Sequence, residues 1–168
     1  MKWLSKFQKA DVWSEPAWRK GVFGSALPTQ TVGELPPGRD GFIVQARSLE
    51  ALFVNAAQTL FTSIATPREG AELQPMDTRS VRVAANNSSE LMVNWLNVLV
   101  ALFRRNGFWG TDFEVYEFDD QQLMAEVSGR QYRPEDFELL TLVDRVAHDG
   151  LSIRKYRGLW HAVIIIDT

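Results

Sequence analysis

Carboxylates are the chemistry-bearing side chains that this sequence offers in number, and one of them stands in an unusual place. Asp167 closes the apolar run Ala162-Val163-Ile164-Ile165-Ile166 and is followed by Thr168. Read as the end of the chain, this puts a side-chain carboxylate beside a terminal one. Like charges crowded together raise one another's pKa unless a cation lies between them. A hard cation such as Ca²⁺ or Mg²⁺ takes carboxylate and carbonyl oxygens. Taken alone, a terminal Asp more often serves solubility than coordination. Asp119-Asp120 and Glu135-Asp136 read as solvated turn and loop residues.

Other chemistries lack their parts. The chain has no cysteine, which removes disulfides, thiolate metal sites and cysteine nucleophiles together. No glycine-rich phosphate loop precedes a helix. His148 and His161 are the histidines, each in or beside an expected strand and neither near a glycine-flanked serine, so a serine triad has no base. Eighteen basic residues against 21 acidic ones leave a net charge of −3, too little positive charge to expect direct, tight nucleic-acid binding. A metal-dependent hydrolase trails as a reading because no general base or substrate clamp is evident. Charges interrupt the opening Met1-Lys2-Trp3-Leu4-Ser5-Lys6-Phe7, and no run is long and apolar enough for a bilayer. The expectation is a cytoplasmic protein with no membrane partner.

The elements that must position Asp167 can be read from periodicity. Pro36-Pro37-Gly38 continues neither a helix nor a central strand, which divides a tryptophan-containing, loop-rich arm over 1–39 from a domain over 40–168. The arm, with Trp3, Trp13 and Trp18, either packs onto the domain or docks a partner. Asp40–Ala46 reads as a strand. Ser48 is placed to cap a helix whose apolar residues run from Leu49 to Ile64, before Pro67 and Gly70. Val81, Val83 and Ala85 suggest a strand ending at Asn86-Asn87. Ser88 or Ser89 then caps a second helix that stops at Gly107, with Asn94 and Asn97 on its polar side.

Strands dominate afterwards: a hairpin around Asp119-Asp120, a polar loop over 129–137, a strand from Leu140 to Val146, and a closing hairpin across Arg157-Gly158. The unbroken run 162–166 is expected at the centre of a sheet covered on both faces. The whole reads as an α+β fold, a mixed or antiparallel sheet layer with both helices on one face.

Three stretches together resemble the archease family: Ser48-Leu49-Glu50-Ala51-Leu52-Phe53-Val54-Asn55-Ala56-Ala57, then Leu91-Met92-Val93-Asn94-Trp95-Leu96-Asn97-Val98-Leu99, then Gly150–Lys155 followed by Trp160–Asp167. The resemblance spans about 40 to 168. It implies a small metal-binding accessory protein that activates a GTP-dependent RNA ligase of the RtcB type in tRNA splicing and RNA repair, promoting its guanylylation and turnover. A diverged protein-interaction module without ligase activation is the alternative. It also implies a divalent cation, Ca²⁺ first with Mg²⁺ or Mn²⁺ behind it, held by Asp40, Asp167 and Thr168. Two departures stand out: Pro37-Gly38-Arg39 replaces the family's His-Thr-Ala, and Val143-Asp144-Arg145-Val146 replaces its Val-Lys-Ala strand, whose lysine is implicated in activation.

Overall fold

The run 162–166 has no polar residue to offer to water, and the chain responds by giving its strand neighbours on both sides and cover on both faces. In the computed structural model, which describes residues 34–168, strand β8 (Leu159–Asp167) lies between β1 (Asp40–Ala46) and β7 (Arg145–Tyr156), antiparallel to both. Ala162, Ile164 and Ile166 join Phe42, Val44 and Val146 in the main core, while Val163 and Ile165 join Ile43 and Ala147 on the opposite face, against Leu35. That alternation is the period of two expected of a strand, with both phases apolar.

Helix α1 (Leu49–Ile64) starts where the sequence places it: Ser48 accepts a hydrogen bond from the Ala51 amide and is the cap. After Ile64 the backbone turns directly extended into β2 (Ala65–Pro67), which pairs with β6 (Phe137–Leu139). A second three-stranded sheet, in the order β3-β5-β4, is built from β3 (Asp77–Ala84), β4 (Phe108–Phe118) and β5 (Gln122–Gln131). Helix α2 (Ser88–Asn106) lies between β3 and β4 in the chain. Both helices touch strands of both three-stranded sheets, and one continuous apolar core joins them.

The α+β class with two helices and antiparallel sheets is observed. Among the described residues the strands form not a single layer, however, but three separate antiparallel sheets. Other boundaries move too. Asn87, not Ser88 or Ser89, caps α2 by accepting from the Glu90 amide, and Glu90 reaches back to the Asn86 amide. The polar stretch 129–137 is not all loop: β5 continues to Gln131, and Phe137 is fully buried. Residues 140–144 are not strand, because Leu140 and Thr141 spend their amides on the Ile64 carbonyl at the end of α1. The arm's first 33 residues lie outside the described residues.

Asn94 and Asn97, on the less buried side of α2, are half-buried and bonded to the strands. Asn94 donates to the Ala84 carbonyl at 3.0 Å, tying the helix to the end of β3. Asn97 donates to the Val146 carbonyl at 3.0 Å and accepts from the Val146 amide at 2.8 Å, a two-bond clasp on β7. Between them, buried Trp95 donates its indole N–H to the Phe53 carbonyl of α1 at 3.0 Å. The segment Asn94-Trp95-Leu96-Asn97 therefore joins its helix to two strands and to the other helix. Asn97→Ala removes both bonds to Val146 and leaves backbone groups without partners. It is expected to cost about 2 kcal/mol, against about 1 kcal/mol for Asn94→Ala. Urea unfolding of the two variants checks the order.

Candidate functional site

Asp167 ends β8 and Asp40 begins β1, so the two carboxylates come to the same end of one sheet. Register decides what they do there. Asp40 stands opposite Ile166, and Arg145 opposite Asp167. Cross-strand partners share a face and successive residues alternate. Asp40 thus belongs to the face of Ile166, whereas Asp167 belongs to the other face with Arg145. Asp40 and Thr168 are exposed.

Two guanidiniums occupy the Asp167 carboxylate. Arg145 Nε donates to Oδ2 at 2.8 Å, and Arg39 Nη2 donates to Oδ1 at 3.4 Å. Arg39 also approaches Asp149 Oδ2 at 3.6 Å. Arg145 is set there by register, whereas Arg39 and Asp149 are each delivered by a specific local device. Arg39 ends a turn in which its amide donates to the Pro36 carbonyl at 3.1 Å, with Pro37 at the second position and left-handed Gly38 (φ 75°) at the third. That is the residue pattern of a type II turn. Asp149 sits in an irregularity of β7 where residues 148–151 stand opposite Ile164 alone, an excursion that redirects side chains.

A third pair closes the cluster. Arg104, in the last turn of α2, pairs with the Asp144 carboxylate and also donates to its carbonyl at 3.1 Å. The Asp144 amide donates to the Asp167 carbonyl at 2.8 Å. Asp144 therefore does not present a free negative charge; it is neutralised by Arg104. Sequence reasoning singles out both Arg145 and Asp167 without pairing them, and it carries no signal that Asp149 and Arg104 reach the site, through a β-irregularity and a helix end.

Other charged groups settle elsewhere. Asp136 is not solvated: it is 6% exposed, pairs with Arg133, and its carbonyl accepts from the Arg68 amide. His148 is exposed in β7, while His161 is part-buried in β8 opposite Gln45 and Arg154. On the second large sheet, Asp112, Phe113, Glu114, Glu126 and Ser128 line a cleft of about 410 Å³. The neighbouring Tyr116 phenol is pushed up to about 12, first by its hydrogen bond to Glu126, then by desolvation and by the charges of Glu126 and Glu114.

The comparisons with known proteins bear on this arrangement directly. A model of the archease protein family matches residues 40–168. The chain belongs to the archease family. It is 29% identical over 133 residues to the protein archease of Methanosarcina mazei, covering 75% of this chain and 87% of that protein. To the protein archease of Methanosarcina acetivorans it is 26% identical over 130 residues, with the same coverage. Its fold is similar to the solution structure of Methanobacterium thermoautotrophicum protein 1598, with TM-score 0.62 and 24% identity over 80% of this chain and 96% of that one. A crystal structure from Thermotoga maritima, described as an archease and possible chaperone, gives TM-score 0.56 at 12% identity over 82% of this chain and 100% of that one.

Archease resemblance implies a divalent cation on Asp40, Asp167 and Thr168. As arranged here, those residues do not make a coordination set. Asp167 has an arginine on each carboxylate oxygen, and the register turns Asp40 to the opposite face. Among the described residues, no group of three or more His, Asp or Glu side chains is placed to hold a metal ion. No helix among them is long and apolar enough to cross a membrane.

One titration follows from burial. Desolvation holds the His161 imidazole below its ordinary pKa, outweighing an opposing backbone hydrogen bond at Tyr156. A base whose folded pKa is depressed binds fewer protons folded than unfolded. Its contribution is complete above the unfolded value near 6.5 and is lost as pH falls through the window beneath it. His161→Gln is expected to flatten stability against pH in that window, as read by urea midpoints measured from about pH 7.5 down to 5.

Proposed function

We propose that this archease-family chain is a non-catalytic accessory protein that activates a GTP-dependent RNA ligase of the RtcB type, raising its guanylylation and turnover in tRNA splicing or RNA repair. The observation that carries this reading is the family match along 40–168, which takes in both helices and the closing β7–β8 hairpin. The ligase would meet the end of the molecule where β1 and β8 finish, because charged side chains from four elements or their flanks gather there: Arg39, Asp40, Arg104, Asp144, Arg145 and Asp167. Charge complementarity at such a surface sets partner choice and encounter rate more than raw affinity.

A second reading, an interaction module of the same fold without activation, draws support from Asp144. Where the family pattern has lysine, this chain has a carboxylate already paired with Arg104. Guanylylation assays separate the readings, using the ligase from the same genome and one from a standard archease system. Activation predicts that wild type raises the rate on its own ligase at substoichiometric amounts. Asp144→Lys should shift preference toward the foreign ligase by tenfold or more, since a mismatched charge at a contact costs on the order of several kcal/mol. Basal rates from both ligases with wild type and variant would leave the interaction module.

A further inference from the structure

The end of β8 gathers carboxylates, and such a gathering needs positive charge. We infer that Arg39 and Arg145 together supply it, forming a paired-arginine staple on Asp167 that takes the place of a divalent cation in this chain.

The geometry assigns the carboxylate completely. Arg145 holds Oδ2 at 2.8 Å and Arg39 stands 3.4 Å from Oδ1, so neither oxygen is left facing solvent alone. The Asp167 carbonyl is also engaged, by the Asp144 amide at 2.8 Å. Ca²⁺ takes six to eight oxygen ligands, and Mg²⁺ demands octahedral oxygens. Two guanidiniums within ion-pairing distance of its principal ligand would repel such a cation and compete with it for the same oxygens. Arginine, in contrast, is always charged, more weakly hydrated than an ammonium, and shaped for carboxylates.

Local structure explains how the staple is built. The Pro36–Arg39 turn requires the left-handed backbone at Gly38 and lands Arg39 one residue before β1, on the Asp167 side of the sheet. Arg145 needs no device beyond register, since it is the β7 residue directly opposite Asp167. Arg39 then reaches outward to Asp149 in the β7 irregularity. Asp167 is 31% exposed and Arg39 33%, whereas Arg145 is 68% exposed, so the Arg39 side is the better shielded although its bond is longer. The result joins the ends of β1, β8 and β7 through one carboxylate. A divalent cation shared by strand ends would impose the same constraint.

The test uses the whole chain with CaCl₂, MgCl₂ and MnCl₂ as probes, and the variants Asp167→Asn, Arg145→Gln and Arg39→Gln/Arg145→Gln. Calorimetry of wild type is expected to show no saturable heat that Asp167→Asn removes, at cation concentrations up to about 10⁻² M, well above the range of weak oxygen sites. EDTA should leave the melting temperature unchanged. The double arginine variant should melt about 2–4 °C lower, in the range of a modest network in a chain of this size, and high salt should erase the difference. Arg145→Gln and Asp167→Asn should combine non-additively, because each removes the same bond. Two results would overturn the staple. One is a Ca²⁺ heat in wild type that Asp167→Asn abolishes. The other is a double arginine variant that melts with wild type at low salt.

Discussion

A strand that is apolar on both of its faces cannot lie at a surface, and the rest of this molecule follows from that constraint on β8. Its two neighbours satisfy its backbone, the helices cover Ala162, Ile164 and Ile166, and a smaller cluster covers Val163 and Ile165. Gly41 shows how close the fit is: a Cβ there would collide with the Ile164 carbonyl across the β1–β8 pair. A strand held so tightly has a fixed terminus. Asp167 therefore arrives at a definite height and on a definite face, and register alone sets Arg145 opposite it.

The helices are held to this sheet system by more than apolar area. Non-directional burial would let α2 slide or rotate over the core at little cost. The bonds of Asn94 to Ala84 and of Asn97 to both backbone groups of Val146 set its depth and its rotation. The indole of Trp109 plays a similar part at the far end of α1, donating to the Phe61 and Ala65 carbonyls where that helix breaks into β2. These side chains satisfy backbone groups at irregular places, where secondary structure by itself leaves donors and acceptors over.

At the functional end, polar geometry and family membership pull in different directions. The fold is that of the archease family, while the surroundings of Asp167 are set by the side chains of this chain. The turn Pro36–Arg39 and the Val143–Val146 segment are where the chain departs from the family pattern, and both departures place an arginine on Asp167. Asp144, whose sign is opposite to that of the expected lysine, is matched by Arg104 from the end of α2. Arg39, Arg104 and Arg145 thus each face a carboxylate, and the charges at this end of the sheet offset one another.

Much of the fold was legible in the residues themselves. Ser48 and Gly107 mark helix ends because capping and left-handed backbone are local chemistry, and the 162–166 run declares a central strand because its pattern leaves no solvent face. The turn at Arg157-Gly158, with both residues at positive φ, likewise follows from short-range sterics. Tertiary structure decided the rest. Whether Asn97 meets water or Val146, whether Asp136 is solvated or buried beside Arg133, and whether Asp40 and Asp167 converge depend on register and on groups distant in the chain. It is the archease resemblance that pairs Asp40 with Asp167, and the structure sets one at the start of β1 and the other at the end of β8. Their separation onto opposite faces follows from a one-residue offset in pairing, and in a pleated sheet one residue is enough to turn a side chain to the other side.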